Sequence, residues 1–574
     1  MNRSAQGALS GVAAAGLALG IAEVVAVLAG PLSAPLLAVG GVVVDNVPGP
    51  VKDAGIALFG VHDKTALIIG TAILLAAYAA GVGVLALRSF RYGVAGIVLF
   101  ALVGVAAAVT RHDAGPITAL PSVVGAAVAV VVLRLLLARA AGEPAATATS
   151  AAGTATTAAR TTAAARTSAE PVAVGDGAAG GSGAAGGTTV AGGSRAVAGG
   201  AASGSERERL PAYPRGDDAA RSRRRFLVSV GVTAGVAAVA GVGGRWLTSR
   251  RAVTAARAAV VLPRPVQPAP AIPAGADLAL PELASYATPN DDFYRIDTAL
   301  YPPQVDPASW ELRVHGMVRN PITLSFADLL NRPMVERYVT LACVSNEVGG
   351  DLIGNARWLG TPLKDLLDEA QPLAGADQVV ARSADGWTCG SPTAVLRDGR
   401  DALLAVGMNG EPLPVPHGFP VRMVVPGLYG YVSACKWVVE LELTRFADFD
   451  AYWVPRGWSA QAPIKTQSRI DTPRDGADVT AGTVTVAGVA WAQHRGISRV
   501  EVQVDDGPWQ PAAPAAPVST DTWRQWSWRW VATSGTHRLR VRATDSTGAT
   551  QTDRLAPPAP DGATGWHEVE VHVA

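Results

Sequence analysis

At 574 residues, with 48 lysines and arginines against 47 aspartates and glutamates, the chain carries a formal net charge of +1. That balance gives no bulk electrostatic case for nucleic acid, and the length leaves room for a membrane portion beside two or more soluble domains. Three cysteines, Cys343, Cys389 and Cys435, are too few for a disulfide scaffold and form no zinc-type CxxC pair, which leaves only a Cys389–Cys435 bridge open.

The first 140 residues are largely apolar. Runs at about 8–30, 65–87, 92–110 and 117–138 approach the ~20 residues that a bilayer core requires. Residues 31–60 differ, because Asp45, Asn46, Pro48, Pro50, Lys52 and Asp53 interrupt them. They read as a surface or re-entrant segment. Arg3, Arg88, Arg91, Arg134 and Arg139 all fall on one side if the four spans begin and end in the cytoplasm, with Arg111 the exception. The histidines here, His62 and His112, lie near the outer ends, where they do not serve as intrahelical haem ligands. The expectation for 1–140 is a four-span anchor or docking bundle.

Residues 141–221 are mostly Ala, Gly, Thr and Ser without apolar periodicity, and such a segment is expected to stay disordered. Ser222–Leu227 then reads Ser-Arg-Arg-Arg-Phe-Leu ahead of an apolar run, 228–244. One reading is a basic stop before an ordinary span. The other, favoured here, is a twin-arginine export signal set inside the chain, so that 222–247 is a fifth transmembrane helix. The small residues of 254–259 leave cleavage open. The rest of 248–276 is Pro-rich and reads as a stiff, extended spacer, with globular sequence from Asp277.

Residues 277–464 alternate strand and helix signals. The stretch 288–297 holds Asn290, Phe293, Tyr294 and Arg295. Residues 310–318 alternate as a strand, with His315 structural, and Ser325 opens a helix. Cys343 follows the apolar run Tyr338, Val339, Leu341 and precedes a polar turn, 345–350; a helix starts at Pro362. A lone cysteine is usually a buried structural residue. A thiol at a strand end beside a polar turn also suits a soft metal or nucleophilic work. A strand at 379–382 leads to Asp385 and Trp387, and Asn409-Gly410 marks a hairpin. His417-Gly-Phe-Pro-Val-Arg422-Met-Val-Val-Pro-Gly427 and Ala434-Cys435-Lys436-Trp437 complete the pattern. From Ala477 short alternating strands, separated by turns, read as a β-sandwich.

Cys343 together with the 417–427 and 434–437 motifs resembles the molybdopterin domain of the sulfite oxidase family, and the resemblance extends over about 277–574. It implies a multi-domain chain: an α-helical membrane bundle, an α+β molybdopterin domain (277–464) and an immunoglobulin-like dimerisation domain (465–574). Cys343 would bind molybdenum. Arg295 would line the substrate pocket beside Asn290, Phe293 and Tyr294, and its guanidinium suits an oxyanion. Asp385 matches an acidic position that contacts the pterin. His417, Arg422, Ala434, Cys435 and Lys436 match cofactor-binding positions.

The implied activity is oxo transfer on a small sulfur- or nitrogen-containing substrate, in either direction. It needs a separate electron-transfer partner, since no haem-binding segment is expected within the chain. A cofactor loaded before export agrees with the twin-arginine reading and places the catalytic half outside the cell membrane. The family's active-site tyrosine is not located, and Trp387 stands where it is sought, so poor sulfite turnover is expected. The reading from a different class is a non-catalytic membrane interaction protein.

Overall fold

The computed structural model describes residues 2–30, 33–46, 63–110, 115–141, 216–250, 253–299 and 301–574. The expected linker therefore lies almost wholly outside the described residues, as does much of the interrupted segment after the first span.

The N-terminal helices are α1 (Arg3–Ala29), α2 (Pro35–Asn46), α3 (Asp63–Arg88), α4 (Phe90–Val109), α5 (Leu120–Ala141) and α6 (Gly216–Arg250). Among the described residues, five stretches are long and apolar enough to cross a membrane: Arg3–Ala29, Ile68–Arg88, Phe90–Val109, Pro116–Ala141 and Arg223–Gly244. Lipid offers no hydrophobic drive for helix association, so close backbone approach at small residues has to supply it. Glycine does so here. A Cβ on Gly83 would lie 2.0 Å from the Gly7 carbonyl, and one on Gly11 2.0 Å from that of Ala79, where α1 crosses α3. Helix α6 meets α1 at Gly20, whose Cβ would lie 2.6 Å from the Ala237 carbonyl, and Arg139 of α5 donates to the Ser229 hydroxyl at 2.7 Å. Helix α2 has 12 residues, about 18 Å of rise, too short for a ~30 Å core. It packs Ala38, Val39 and Val42 on Ala107 and Ala108 of α4.

After α6 comes the short helix α7 (Thr254–Ala259), then an irregular stretch that reads as a spacer in the sequence. The structure corrects that expectation. Val266 N donates to the Met334 carbonyl and Glu336 N to that of Gln267, both at 2.8 Å, so the segment lies along a strand of the domain rather than standing free. Proline fixes its extended backbone, and the exposed strand edge supplies its partners.

The middle domain comprises β1 (Glu311–Gly316), β2 (Ile322–Ser325), α8 (Phe326–Leu330), β3 (Val335–Ala342), β4 (Ile353–Pro362), α9 (Leu363–Ala370), β5 (Gln378–Ser383), β6 (Thr388–Pro392), α10 (Thr393–Arg397), β7 (Leu403–Met408), β8 (Glu411–Pro412), β9 (Arg422–Val424), α11 (Gly430–Ser433) and β10 (Val438–Thr444). One sheet runs β2-β1-β10-β5-β6, with β1 and β10 parallel; the other runs β3-β4-β7-β8, with β9 also on β7. Ser325 caps α8 through a capping box with Asp328, as its position before Phe326 predicts.

The last domain has β11 (Gln467–Thr472), β12 (Ala477–Val479), β13 (Gly482–Trp491), β14 (Ile497–Val504), β15 (Gln510–Pro511), β16 (Ala513–Pro514), β17 (Arg524–Ala532), β18 (Gly535–Asp545) and β19 (His567–Val573). Sheets β11-β13-β17-β16 and β12-β19-β18-β14-β15 enclose a core with Val486, Trp526, Leu539 and Val541. The sandwich begins ten residues before the textural change at Ala477, because β11 reads Gln-Ser-Arg-Ile-Asp-Thr and carries little apolar alternation. It braces β3 from behind: Trp523 N donates to the Thr340 hydroxyl at 2.8 Å, and Gln493 Nε2 to the Thr340 carbonyl at 3.1 Å.

Candidate functional site

Strand β3 ends at Ala342 and delivers Cys343 into the gap between the two sheets of the middle domain. Cys343 N donates to the Leu352 carbonyl at 2.9 Å, and Asn346, in the following turn, accepts from Leu352 N at 2.8 Å through Oδ1. Asn346 is thus spent on the turn. The thiol is 8% exposed, and burial pushes its pKa up against the Ser345 amide and hydroxyl, which favour the thiolate. A thiol so enclosed stays protonated unless a soft cation displaces the proton. Lys436, Tyr294 and Tyr429 lie near enough for their charges to act on it or be acted on by it.

Close to this thiol gather two buried cationic side chains, Arg422 and Lys436, and one imidazole, with the more exposed Arg295 at their edge. His417 ends a short 3-10 turn, Val415–His417, and Gly418 follows with φ of 110°. A Cβ at Gly418 would lie 3.0 Å from Arg422 Cβ and 3.2 Å from Lys436 Cα, so glycine lets the three basic positions converge. His417 Nε2 sits 3.0 Å from the Asn290 carbonyl. A carbonyl only accepts, so Nε2 carries the proton and Nδ1 is left as an acceptor. Burial first, and then the Arg422 charge, depress the His417 pKa to about 4, which keeps the ring neutral at pH 7.

Arg422 is 5% exposed; Nη1 donates to the His417 carbonyl at 3.1 Å, and the guanidinium lies 4.9 Å from the Trp358 ring centre. Burial pulls its pKa down to about 10. No carboxylate pairs with it among the described residues. Lys436, 9% exposed, donates to Asp297 at 2.6 Å, and burial lowers its pKa to about 8 despite that partner.

Arg295 is corrected. The sequence presents it as a guanidinium open to an oxyanion, but it grips Asp297 with both prongs, Nε at 2.8 Å and Nη2 at 3.2 Å. Asp297, two residues on in the same quoted stretch, is thus shared by Arg295 and Lys436. The alternation of that stretch gave no hint of it, because the Lys436 contact spans 139 residues.

Other sequence candidates divide. Phe293 stacks on Tyr294 and meets His417 and Trp358 edge-on, forming the apolar wall. Tyr294 is half-buried; desolvation raises its pKa, and it lies beside Cys343 and Arg422. Asn290 holds His417 by its carbonyl and spends its amide on Glu411 at 2.5 Å. Ala434 ends α11 and carries no polar group to the site. Asp385 accepts from Trp387 N at 3.2 Å, which makes it the cap of its own turn.

The Cys435 thiol lies between Cys389 and the charge of Arg422. It adjoins Cys389, and burial together with that neighbour pushes its pKa well up; both sulfurs are free thiols rather than a bridge. Trp387 is likewise a turn residue, whereas two phenols, Tyr294 and Tyr429, flank Cys343. Tyrosine side chains thus lie beside the thiol, although the sequence does not locate one there. Tyr429 went unnoticed because it sits in a Gly-rich loop, 427–430, with no periodicity to mark it.

Two buried cations, Arg422 and Lys436, backed by the more exposed Arg295 and offset by a single carboxylate, fit an anionic ligand, and the enclosed thiol fits a soft metal. The chemistry of this donor set suits a molybdopterin, whose phosphate takes charge-assisted hydrogen bonds and whose metal takes a thiolate.

Fold and pocket together define a cofactor-binding α+β domain carried on a β-sandwich. The family model described as an oxidoreductase molybdopterin binding domain matches residues 299–453, and a bacterial Ig domain matches 467–541. Chicken (Gallus gallus) sulfite oxidase is 31% identical over 323 residues, 47% of this chain and 69% of its own length. Human (Homo sapiens) mitochondrial sulfite oxidase is 32% identical over 348 residues, 51% of this chain and 63% of its own length. The uncharacterized oxidoreductase YuiH of Bacillus subtilis is 34% identical over 155 residues, 27% of this chain and 74% of that protein. The chain belongs to the sulfite oxidase family of molybdopterin-binding oxidoreductases. It spans less than two thirds of the length of the mammalian relatives it matches.

Proposed function

We propose that this protein is a membrane-anchored, extracytoplasmic molybdopterin-dependent oxidoreductase acting on a small sulfur- or nitrogen-containing oxo substrate. The observation that carries the reading is the pair of buried cations Arg422 and Lys436 beside Cys343, with Asp297 as the carboxylate shared by Lys436 and the more exposed Arg295. When bound, the cofactor supplies two-electron oxo-transfer chemistry at molybdenum. The chain's own part is placement. Cys343 gives up its proton to ligate the metal. Arg422 and Lys436 would hold the anionic part of the cofactor, and His417 Nδ1 would offer it an acceptor. Phe293, Tyr294 and Trp358 keep water from the buried cations.

Arg295 is half-buried at the outer side of Asp297, where it orients an anionic substrate while its charge is balanced. Tyr294 and Tyr429 both lie beside Cys343, and since the Tyr429 hydroxyl is turned to the Lys465 backbone and Gly562, the Tyr294 hydroxyl is the one left to donate to an oxygen near the metal. Their presence removes the ground for expecting poor sulfite turnover, so sulfite stands among the substrates to be tried, beside sulfoxides.

Five apolar helices support the anchor, and the Ser222–Leu227 pattern supports twin-arginine export of a domain already loaded. The sandwich is proposed as a homodimer interface, and electrons leave to a separate redox partner. Elemental analysis of purified protein tests the core of this reading. The wild type should hold close to one molybdenum per chain, and Cys343→Ser should fold with the same helix content yet lose turnover on every oxo substrate. A variant that kept full turnover would end the thiolate assignment.

A further inference from the structure

The helix that follows the last membrane stretch is built into the wall of the pocket. Val253, immediately before α7, is 5% exposed and shares a core cluster with Phe293, Trp358, Leu413 and Phe419, of which Phe293 meets the His417 ring edge-on. Arg257 of α7 donates to the Leu413 carbonyl at 2.8 Å and the Pro412 carbonyl at 2.5 Å, and pairs with Glu411 at 3.1 Å. The other oxygen of Glu411 accepts from Asn290 at 2.5 Å, and the Asn290 carbonyl holds His417 Nε2 at 3.0 Å. One line of polar contacts thus runs from the juxtamembrane helix to the imidazole. The family model's match begins at residue 299, so Arg257 lies outside the matched residues.

We propose that Arg257 is a positioning residue which, through Glu411 and Asn290, fixes the ring orientation of His417 for the pterin. The linker from the membrane helix is then part of the cofactor site, and proteolytic release within 254–259 would remove its brace. Arg257 suits the task because its planar fork meets two carbonyls and a carboxylate at once. Residues that orient a ligating group from behind typically change affinity about 10–100-fold when removed.

The inference rests on the molybdopterin reading, and the experiment separates the two. Full-length chain in detergent is dialysed, and molybdenum and pterin per chain are followed with time by elemental analysis and cofactor fluorescence. Four variants are compared: Arg257→Ala, Asn290→Ala, the double variant, and Gln267→Ala, which removes a 2.6 Å bond to Arg337 from the same docked segment without touching the line. Arg257→Ala should shed cofactor about tenfold or more faster than wild type. The double variant should be no faster than the worse single, because both changes break one line. Gln267→Ala should match wild type. Cofactor retention by Arg257→Ala, equal loss from Gln267→Ala, or independent effects in the double variant would each overturn the positioning role. A wild type with no molybdenum would remove the cofactor reading and this inference with it.

Discussion

His417 and His567 are both held neutral by burial, each with its pKa depressed to about 4. Between pH 6.5 and 4 the unfolded chain binds protons at these rings and the folded chain does not. Stability is therefore complete above the unfolded value and falls as pH drops through this window. A shift of that size corresponds to roughly 3 kcal/mol for each ring at the acid end. Thermal unfolding of the solubilised protein at pH 7 and pH 5 should show a marked fall in Tm. His567→Gln should reduce the fall while keeping a polar group of similar reach, since His567 Nδ1 accepts from Ile470 N at 3.0 Å and its ring packs on Gly349 in the turn after Cys343. An unchanged pH profile in that variant would show that the ring charges freely in the fold.

At the scale of elements, the pocket depends on where β3, the 3-10 turn before Gly418 and the loop before β10 come together. Gly418 is the joint, with φ of 110° and no room for a side chain between Arg422 and Lys436. Gly418→Ala should cost about 1–3 kcal/mol of stability from backbone strain alone. Its larger effect should fall on cofactor content, because His417 precedes the joint and Arg422 and Lys436 press on it. Gly399→Ala serves as a comparison: it also has a positive φ, 94°, but meets open space. It should carry the strain and keep the cofactor. Matching cofactor loss in the two would mean that global stability, not the joint, governs loading.

For the whole molecule, the membrane helices and the catalytic half are linked by α6, whose Arg223, Arg224 and Arg225 precede Phe226 and Leu227. If this is the export signal, Arg223→Lys with Arg224→Lys leaves the charge unchanged and removes the pair that the pathway reads. The catalytic half should then remain cytoplasmic and become protected from protease added to spheroplasts, while the four earlier stretches insert as before. Normal protease access in the double variant would reduce these arginines to a topology signal. Positive charge near the membrane is retained in both cases, so the comparison isolates the pattern from the charge.

Local patterns in the chain were enough to reveal five membrane-length apolar runs, the capped helix at Ser325, the Asn409-Gly410 hairpin, most sandwich strands and the strand that ends at Cys343. Each follows from residues within about ten positions of one another: a 20-residue apolar length, a period of two, a cap before its helix. The motifs around Cys343, His417 and Lys436 were legible for the same reason, as short runs with fixed spacing. Pairing across the fold was not. That Asp297 serves both Arg295 and Lys436, that Cys435 turns toward Cys389, that Tyr294 and Tyr429 close on Cys343, and that Arg257 reaches the loop before His417 all depend on chain crossings of tens to more than a hundred residues. A charge in a sequence shows no partner. Only the packed sheets decide which opposite charge shares its low-dielectric surroundings, and therefore which cation is balanced and which is left for a ligand.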